Sequence, residues 1–300
     1  QLPVPLLKIE SDGTTQSREQ LRTRLEAFAE GFAAPQKGDT PMPSHGYFAG
    51  IDSGSATTDV VILDPDKTIV AKVILPTGAG ASNGAQRALE EALQQAGLTQ
   101  ADLTATVTTG YGRGVIQAGD KSITEITCHA KGAHFLYPQV RTVIDIGGQD
   151  SKVIAIAPDG SVTNFVMNDK CAAGTGRFLQ VLSGILGMEL AELGEAAGRG
   201  KPAAISSMCA VFAETEIIGL LARGTPPADI AAGVFRSIAR RMRGLAARIP
   251  LHGECTFTGG LATSPSFSRL LSEELGVPVN VPEYPQLVGA IGAALIAARI

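Results

Sequence analysis

The sequence contains Gly50-Ile-Asp-Ser-Gly-Ser-Ala-Thr-Thr-Asp-Val-Val-Ile-Leu63 and, further along, Val143-Ile-Asp-Ile-Gly-Gly-Gln-Asp-Ser-Lys-Val-Ile-Ala-Ile156. The two stretches align without a gap, and each consists of an apolar run, a short turn and a second apolar run. Asp52 corresponds to Asp145 and Gly54 to Gly147, while the apolar tails stay in register. Apolar runs bounded by turn residues are typical of strands. The pattern predicts a duplicated β-hairpin.

Both predicted turns have the properties of phosphate-binding turns. A tight turn with little side-chain bulk points successive backbone N–H groups into one concavity, which suits anionic oxygens. Asp52 and Asp145 end the first strand of each hairpin and are predicted to hold Mg²⁺ through water, since Mg²⁺ prefers oxygen ligands and retains several waters. Glycine-rich turns also occur for reasons of turn chemistry alone. The repetition of Asp at the same place favours phosphate, and we expect the two turns to clamp one polyphosphate.

A third element extends the predicted nucleotide site. Thr256-Phe-Thr-Gly-Gly-Leu-Ala262 predicts a strand that enters a Gly-Gly turn, followed by a helix from about Ser264 to Leu275. Gly259 and Gly260 would let an adenosine ring lie against the backbone. The predicted nucleotide ligands are Asp52, Ser53, Gly54, Ser55, Thr57, Thr58, Gly147, Gly148, Gln149, Lys152, Gly259, Gly260 and Gln286.

Two of the four cysteines are candidate metal ligands. Cys171 and Cys209 each follow a short polar run and open a predicted helix. A helix N-terminus favours a thiolate, which is the form that binds metal. A cubane cluster takes four thiolates, so two from each of two identical subunits would complete the set. The alternative is that both are apolar fillers, the usual role of a free cysteine; it remains the prediction for Cys128 and Cys255.

The composition excludes several classes of protein. The 300 residues are 44% hydrophobic and 18% charged, with a net charge of −4, which is typical of a globular chain with room for more than one core. No run of Lys and Arg provides a footprint for nucleic acid. No apolar run approaches the roughly 20 residues that span a bilayer. We therefore expect a cytoplasmic protein that binds neither nucleic acid nor membrane.

The chain divides into four predicted segments. Residues 1–34 contain a strand and an amphipathic helix that we expect to be the end of an upstream domain, and residues 35–46 form a proline-rich linker. Alternating β and α patterns then predict a first lobe, a mixed sheet flanked by helices, from 47–137 plus 286–300. Residues 138–285 form a second lobe that carries the candidate cluster ligands.

With these parts named, the sequence resembles the ATPase activators of 2-hydroxyacyl-CoA dehydratases and the related ATPase subunits of benzoyl-CoA reductases. The resemblance is carried by the first hairpin and by Thr109-Gly-Tyr-Gly-Arg113, Val143-Ile-Asp-Ile-Gly-Gly-Gln-Asp150, Asn168-Asp-Lys-Cys-Ala-Ala-Gly-Thr-Gly-Arg-Phe178, Ser206-Ser-Met-Cys-Ala-Val-Phe-Ala-Glu214, Thr258-Gly-Gly260 and Gly289-Ala-Ile-Gly-Ala-Ala294. It implies the α/β, two-lobed ATPase fold of actin, Hsp70 and sugar kinases, with duplicated ribonuclease H-like lobes.

The resemblance also implies an activity. It implies that the chain, like members of this family, is an anaerobic homodimer with one [4Fe-4S] cluster, held by the cysteines that match Cys171 and Cys209. They use ATP, which they hydrolyse to ADP, to deliver low-potential electrons to a dehydratase-type or reductase-type iron–sulfur partner. A ferredoxin or flavodoxin is the implied donor. Pro3 to Asp12 and Arg22 to Phe28 are similar to the end of a dehydratase-type subunit, which suggests that the partner is fused upstream.

Residue roles follow with one departure from the family. Asp59 stands where relatives often carry Lys, and we expect Lys152, its counterpart in the second hairpin, to supply the positive charge. Asp145 is predicted to hold the metal, and Gln149 or Asp150 to orient the attacking water. Two rival functions are a sugar or N-acetylhexosamine kinase on the same fold, and a nucleotide-gated interaction ATPase without a cluster.

Overall fold

The computed structural model describes residues 46–206 and 210–300, so the predicted segment 1–34, nearly all of 35–46 and Cys209 lie outside the described residues. The described chain forms two compact units. Unit I contains residues 46–136 together with Leu287–Ile300, and unit II is Tyr137–Gln286.

Unit I is a five-stranded sheet with three helices. In chain order its elements are β1 Tyr47–Ser53, β2 Thr57–Leu63, β3 Ile69–Pro76, α1 Ala81–Ala96, β4 Leu103–Thr109, β5 Lys121–Ser122, α2 Glu125–Leu136 and, at the end of the chain, α8 Val288–Ala297. The strand order is β3-β2-β1-β4-β5. β1, β2 and β3 are antiparallel neighbours, whereas β4 runs parallel to β1 and β5 parallel to β4.

The helices of unit I cover the sheet because of their residue spacing. In α1, Ala85, Ala88, Leu89 and Ala92 are buried, which is the spacing of one apolar helical face. α8 is buried over nearly its whole length and packs closely on α2. A Cβ on Gly292 would overlap the carbonyl oxygen of Cys128, so glycine is needed for this close approach.

Unit II repeats the sheet and inserts more helices. Its elements are β6 Val140–Ile146, β7 Ser151–Ile156, β8 Val162–Asn168, α3 Gly176–Leu186, α4 Leu190–Arg199, α5 Ala210–Ala222, α6 Pro227–Ala246, β9 Glu254–Thr258, α7 Pro265–Leu275 and β10 Val279–Asn280. The order β10-β9-β6-β7-β8 is the same arrangement as in unit I. Its core includes Phe267, whose ring centroid lies 5.5 Å from that of Phe235 and 5.7 Å from that of Phe257.

The duplication read from the sequence is present in the strand registers. Asp52 lies opposite Asp59 in the first hairpin, and Asp145 lies opposite Lys152 in the second. The neighbouring parallel strand extends the match, since Asp52 pairs with Thr109 and Asp145 with Thr258. Each unit therefore presents an aspartate between a hairpin partner and a threonine.

No helix among the described residues is both long and apolar enough to cross a bilayer.

Candidate functional site

The end of β1 holds Asp52 in a small cradle of backbone. The Asp52 side chain is nearly buried, and its Oδ2 lies 3.7 Å from Nε2 of His129 on α2. Gly110 follows β4 with φ +86°, a conformation that favours glycine. A Cβ at Gly110 would overlap Asp52 Oδ1, and one at Gly289 would overlap Oδ2. Two glycines from distant parts of the sequence thus make room for this carboxylate.

The hydroxyl groups of the first turn mostly stabilise the turn itself. Ser53 Oγ and Thr58 Oγ1 are buried and 3.3 Å apart, and Thr58 Oγ1 is 3.0 Å from Thr77 Oγ1. Thr77 donates to the carbonyl of Gly54 at 2.9 Å. Ser55 is exposed at the tip, and Thr57 is half-buried. Thr77 directly follows β3, and nothing in the spacing of the sequence pointed to it as a partner of the first turn.

The second turn is bonded to the start of α3. The backbone N–H of Gly176 donates to the carbonyl of Gly147, and that of Arg177 to the carbonyl of Gly148, both at 2.9 Å. In a trans peptide the C=O and the following N–H point in opposite directions, and the described chain has no cis peptide. The N–H groups of Gly148 and Gln149 therefore point away from α3, side by side, which is the arrangement of an anion-binding nest.

A buried lysine holds the carboxylates of the second turn. Lys152 is 2% exposed, and its Nζ donates to Asp145 Oδ2 at 3.2 Å and to Asp150 Oδ1 at 2.7 Å. Thr258 Oγ1 donates to Asp145 Oδ1 at 2.8 Å, so both oxygens of Asp145 accept hydrogen bonds. The ammonium group thus neutralises carboxylates of its own turn. The sequence analysis missed Thr258 as a partner, although it quoted the residue.

The Gly-Gly turn after β9 resembles the turn after β4. Gly259 has φ +88°, and its N–H donates to the carbonyl of Pro285 at 3.0 Å. A Cβ at Gly259 would overlap the Ile146 carbonyl, so this glycine is required by packing around the second turn. A Cβ at Gly260 would meet open space, which leaves the backbone accessible there. Gln286 is half-buried and directly follows Pro285.

Cys171 does not open the α-helix, and that part of the sequence prediction is wrong. Cys171 precedes a single 3-10 turn, Ala172–Gly174, and α3 begins only at Gly176. Thr175 interrupts the helix because its backbone is extended and its hydroxyl donates to the Ala172 carbonyl at 2.8 Å. Cys171 therefore lies five residues before the first residue of α3 and not at its N-terminus.

The backbone around Cys171 is nevertheless fixed. Asn168 donates from Nδ2 to the Cys171 carbonyl at 2.9 Å and accepts from its N–H at 3.2 Å. Cys171 is half-buried, and the three residues that follow it, Ala172, Ala173 and Gly174, are small. A half-buried thiol beside small residues fits a bulky inorganic group. No cluster of three or more His, Cys, Asp or Glu side chains in metal-binding proximity occurs within 46–206 and 210–300.

The other two cysteines are interior residues. Cys128 is fully buried on α2, and burial raises the pKa of its thiol from 9.0 to about 12 despite a hydrogen bond with Thr109. Cys255 is buried on β9, and burial raises its thiol pKa as well. A raised pKa suppresses the thiolate, so neither residue has the character of a ligand.

Two known proteins are similar to this chain over most of its length. The chain is 46% identical over 253 residues to the (R)-2-hydroxyglutaryl-CoA dehydratase activating ATPase of Acidaminococcus fermentans, covering 84% of this chain and 96% of that protein. It is 48% identical over 254 residues to the activator of lactoyl-CoA dehydratase from Anaerotignum propionicum, covering 84% and 97%.

Two solved structures are similar to this chain. The activator of the 2-hydroxyisocaproyl-CoA dehydratase from Clostridium difficile, determined with bound ADPNP, superposes with a TM-score of 0.81 at 41% identity, covering 84% of this chain and 94% of that one. The ethanolamine utilization protein EutJ from Carboxydothermus hydrogenoformans, at 19% identity and a TM-score of 0.59 over 92% of this chain and 98% of its own, shares the fold alone.

The fold prediction is confirmed, because the two-sheet α/β architecture is shared with actin-like ATPases and sugar kinases. Residues 49–297 match one protein family over most of the chain. The chain belongs to the BadF/BadG/BcrA/BcrD ATPase family.

Proposed function

We propose that this chain is an ATP-hydrolysing activator that delivers low-potential electrons to a dehydratase-type or reductase-type iron–sulfur partner. The observation that carries the proposal is the pair of hydrogen bonds from Gly176 and Arg177 to the second turn. These bonds join a predicted phosphate turn to the segment that begins at Cys171. Relatives named as dehydratase activators support the choice of partner.

The phosphate groups of ATP bind at the two turns. In the second turn the N–H groups of Gly148 and Gln149 are the donors, since their orientation follows from the bonds to α3. The buried hydroxyls of Ser53 and Thr58 fix the shape of the first turn, and the exposed Ser55 is free to approach a phosphate. The open side of Gly260 suits the adenosine.

Mg²⁺ fits the donor set when it is held through water. Both oxygens of Asp145 already accept hydrogen bonds, so this carboxylate acts on the hydrated ion rather than replacing its waters. Asp52 offers a second carboxylate in unit I. The ion supplies charge that offsets the negative oxygens of the transferred phosphoryl group.

Orientation of the attacking water falls to Gln149. Its side chain is exposed, whereas Asp150 is fixed by its 2.7 Å hydrogen bond from Lys152. An amide can both donate to and accept from a water molecule. Lys152 acts through the carboxylates of Asp145 and Asp150, which its hydrogen bonds hold in place beside the turn.

Cys171 and Cys209 from each of two subunits hold the [4Fe-4S] cluster of a homodimer. The small residues after Cys171 leave room for it, and the Asn168 side chain fixes the backbone from which the thiol projects. When bound, the cluster supplies a one-electron centre of low potential, which a ferredoxin or flavodoxin would reduce. A change at the second turn reaches this segment through the bonds to Gly176 and Arg177.

Anaerobic iron analysis of single-cysteine variants tests the proposal. Cys171→Ser should lower the iron content of the purified dimer by more than half, because one variant removes two of the four ligands. Cys128→Ser and Cys255→Ser are matched controls that should retain iron, provided that they fold. Iron that stays bound in Cys171→Ser would contradict the cluster assignment and favour an interaction ATPase without a cluster.

ATP hydrolysis is measured separately. Gln149→Ala should reduce kcat for phosphate release about 100-fold while ADP still binds, since one positioning group is removed. An unchanged kcat would remove Gln149 from the reaction. ATP-dependent phosphorylation of a hexose or N-acetylhexosamine by the wild-type protein would instead support the kinase alternative.

A further inference from the structure

Unit II contains a cavity that the nucleotide and cysteine residues do not use. It has a volume of about 620 Å³ and lies between α6 and the segment 202–206. Its polar lining consists of three arginines of α6, Arg236, Arg240 and Arg241, with the hydroxyl residues Ser206 and Ser237. None of the predicted nucleotide ligands lines it.

The charge around this cavity is mainly positive. Glu274 on α7 is a carboxylate beside this face of α6, and its oxygens lie 3.9 Å from Arg236 Nε, 3.4 Å from Arg240 Nε and 3.1 Å from Nη1 of Arg243, which does not line the cavity. One carboxylate therefore serves three guanidinium groups. A second carboxylate, Glu216, accepts hydrogen bonds from the N–H and hydroxyl of Ser206. The cavity keeps an excess of positive charge in a chain whose net charge is −4.

Arg236 also has unused hydrogen-bonding capacity at this wall. Its Nε is buried, and it makes no hydrogen bond to any group of the described residues. The ion pair with Glu274, at 3.9 Å, is too long to be a hydrogen bond. A buried donor without an acceptor destabilises the folded chain, so an acceptor bound in the cavity would offset that cost.

The backbone explains why the cavity persists. Gly233 on α6 has no side chain, and a Cβ there would overlap the Ala203 carbonyl, so the 202–206 segment lies directly on the helix at this point. The N–H of Ala203 donates to the Asp229 carbonyl at 2.9 Å, and the N–H of Lys201 to Asp229 Oδ1 at 2.7 Å. These contacts hold residues 201–205 against the first turns of α6, and the arginines lie further along the same helix.

We propose that this cavity binds the phosphate groups of a nucleotide-sized molecule, at a site separate from the two hairpin turns. Guanidinium forks match phosphate oxygens in pairs, and hydroxyls complete such sites. The volume falls within the range of small-molecule sites and exceeds that of a single phosphate ion. ADP and coenzyme A are two phosphate esters of the required size, and binding measurements separate them.

The cavity lies close to the segment that begins at Cys171. The Cβ and Cδ of Arg241 lie within 3.9 Å of the point where a Cβ on Gly174 would be. An anion that draws Arg241 toward the cavity therefore acts next to the Cys171–Gly174 segment. The site itself does not depend on the proposed electron transfer.

Isothermal titration calorimetry of the full chain tests the site. Inorganic pyrophosphate, ADP and coenzyme A are titrated after the hairpin turns have been saturated with Mg²⁺ and a non-hydrolysable ATP analogue. The double variant Arg236→Gln/Arg240→Gln should bind the preferred probe at least 30-fold more weakly, because each charge-assisted hydrogen bond contributes roughly a factor of 10. Arg240→Lys should weaken it less, since charge remains while the fork is lost.

Arg269→Gln on α7 is the matched control, since it removes one exposed arginine that does not line the cavity. An affinity equal to wild type in the double variant, or an equal loss in Arg269→Gln, would overturn the proposal. Absence of binding by all three probes would do the same. If the nucleotide analogue fails to bind while a probe binds the cavity, the proposed function fails and the phosphate site stands.

A second measurement needs no variant. Phenylglyoxal modification of the wild-type protein, mapped by peptide mass spectrometry, should show Arg236 and Arg240 protected by the bound probe and Arg269 unprotected. Equal modification with and without the probe would overturn the proposal even if the double variant did not fold.

Discussion

The first and second hairpins share a backbone but differ in how they balance the charge of their aspartate. Asp145 receives hydrogen bonds from Lys152 and Thr258 within the hairpin and its neighbouring strand. Asp52 lies opposite another carboxylate, Asp59, and its Oδ2 lies 3.7 Å from Nε2 of His129 on α2. The two hairpins share their strand register, but the lysine opposite Asp145 is replaced by an aspartate opposite Asp52.

The difference indicates a division of labour between the turns. A network of short hydrogen bonds centred on the buried Lys152 fixes the second turn, to which α3 is bonded. The longer His129 contact constrains the first turn less. We therefore expect the second turn to be the more sensitive of the two to substitution, and the following predictions compare the hairpins in order of decreasing effect.

The largest effect is expected from Lys152→Met. Removing one partner of a buried ion pair leaves uncompensated carboxylates, which costs about 3 to 5 kcal/mol of the free energy of unfolding. Urea denaturation measures it. Lys170→Met, which removes an 87% exposed lysine, should change stability by less than about 1 kcal/mol. A loss in Lys152→Met no larger than that control would show that the network does not stabilise unit II.

Gly259→Ala should destabilise by about 3 kcal/mol. The φ of +88° costs about 1 to 2 kcal/mol for an L-residue, and overlap with the Ile146 carbonyl adds to that. Gly276 has φ +71°, and a Cβ added there would meet open space. Gly276→Ala therefore measures the free-energy cost of the backbone conformation alone. The equivalent change after β4 of unit I, Gly110→Ala, should match Gly259→Ala; a gap of more than about 1 kcal/mol would break the structural equivalence of the turns that follow β4 and β9.

The buried thiol behind the first hairpin should make stability fall at high pH. Because the pKa of Cys128 is 9.0 when exposed and about 12 when folded, the unfolded chain loses the proton first as pH rises. The contribution is therefore fully present below pH 9 and is lost as the pH rises toward 12, by about 1.4 kcal/mol per pH unit. The stability difference between wild type and Cys128→Ala, measured from pH 8 to 11, should shrink with that slope. A constant difference would contradict the assignment.

The smallest effect is expected from His129→Gln. A contact of 3.7 Å is longer than a hydrogen bond, so its loss should cost about 1 kcal/mol or less. Thermal unfolding of this variant beside Lys152→Met gives the comparison directly. Equal losses in the two variants would mean that both aspartates are held with the same strength.

The sequence predicted the hairpins well because their pattern is local. Asp, Gly and the apolar tails recur at fixed spacing, and the strand registers follow from that spacing. Thr77 and Gly289 were not recognised as neighbours of the first turn, because they reach it from other strands and helices. Such contacts depend on which distant segments meet in the fold. Residue spacing within a single sequence does not reveal this.

The position of Cys171 shows a second limit. Small residues after a polar run predicted a helix start, and Gly176 onward is helical. The hydroxyl of Thr175 bonds the Ala172 carbonyl instead, which delays the helix. Ser and Thr compete with helices through such local hydrogen bonds, and the outcome depends on the bonds that Gly147 and Gly148 offer from another strand.

The last helix of unit I is synthesised after the whole of unit II. α8 packs on β1, β4 and α2, although the whole of unit II, Tyr137–Gln286, separates it from them in the chain. The ribosome must therefore synthesise unit II before it synthesises the helix that closes the sheet of unit I. Until then one face of β1 stays uncovered, so a chaperone that shields apolar strands should associate with the nascent chain throughout that interval.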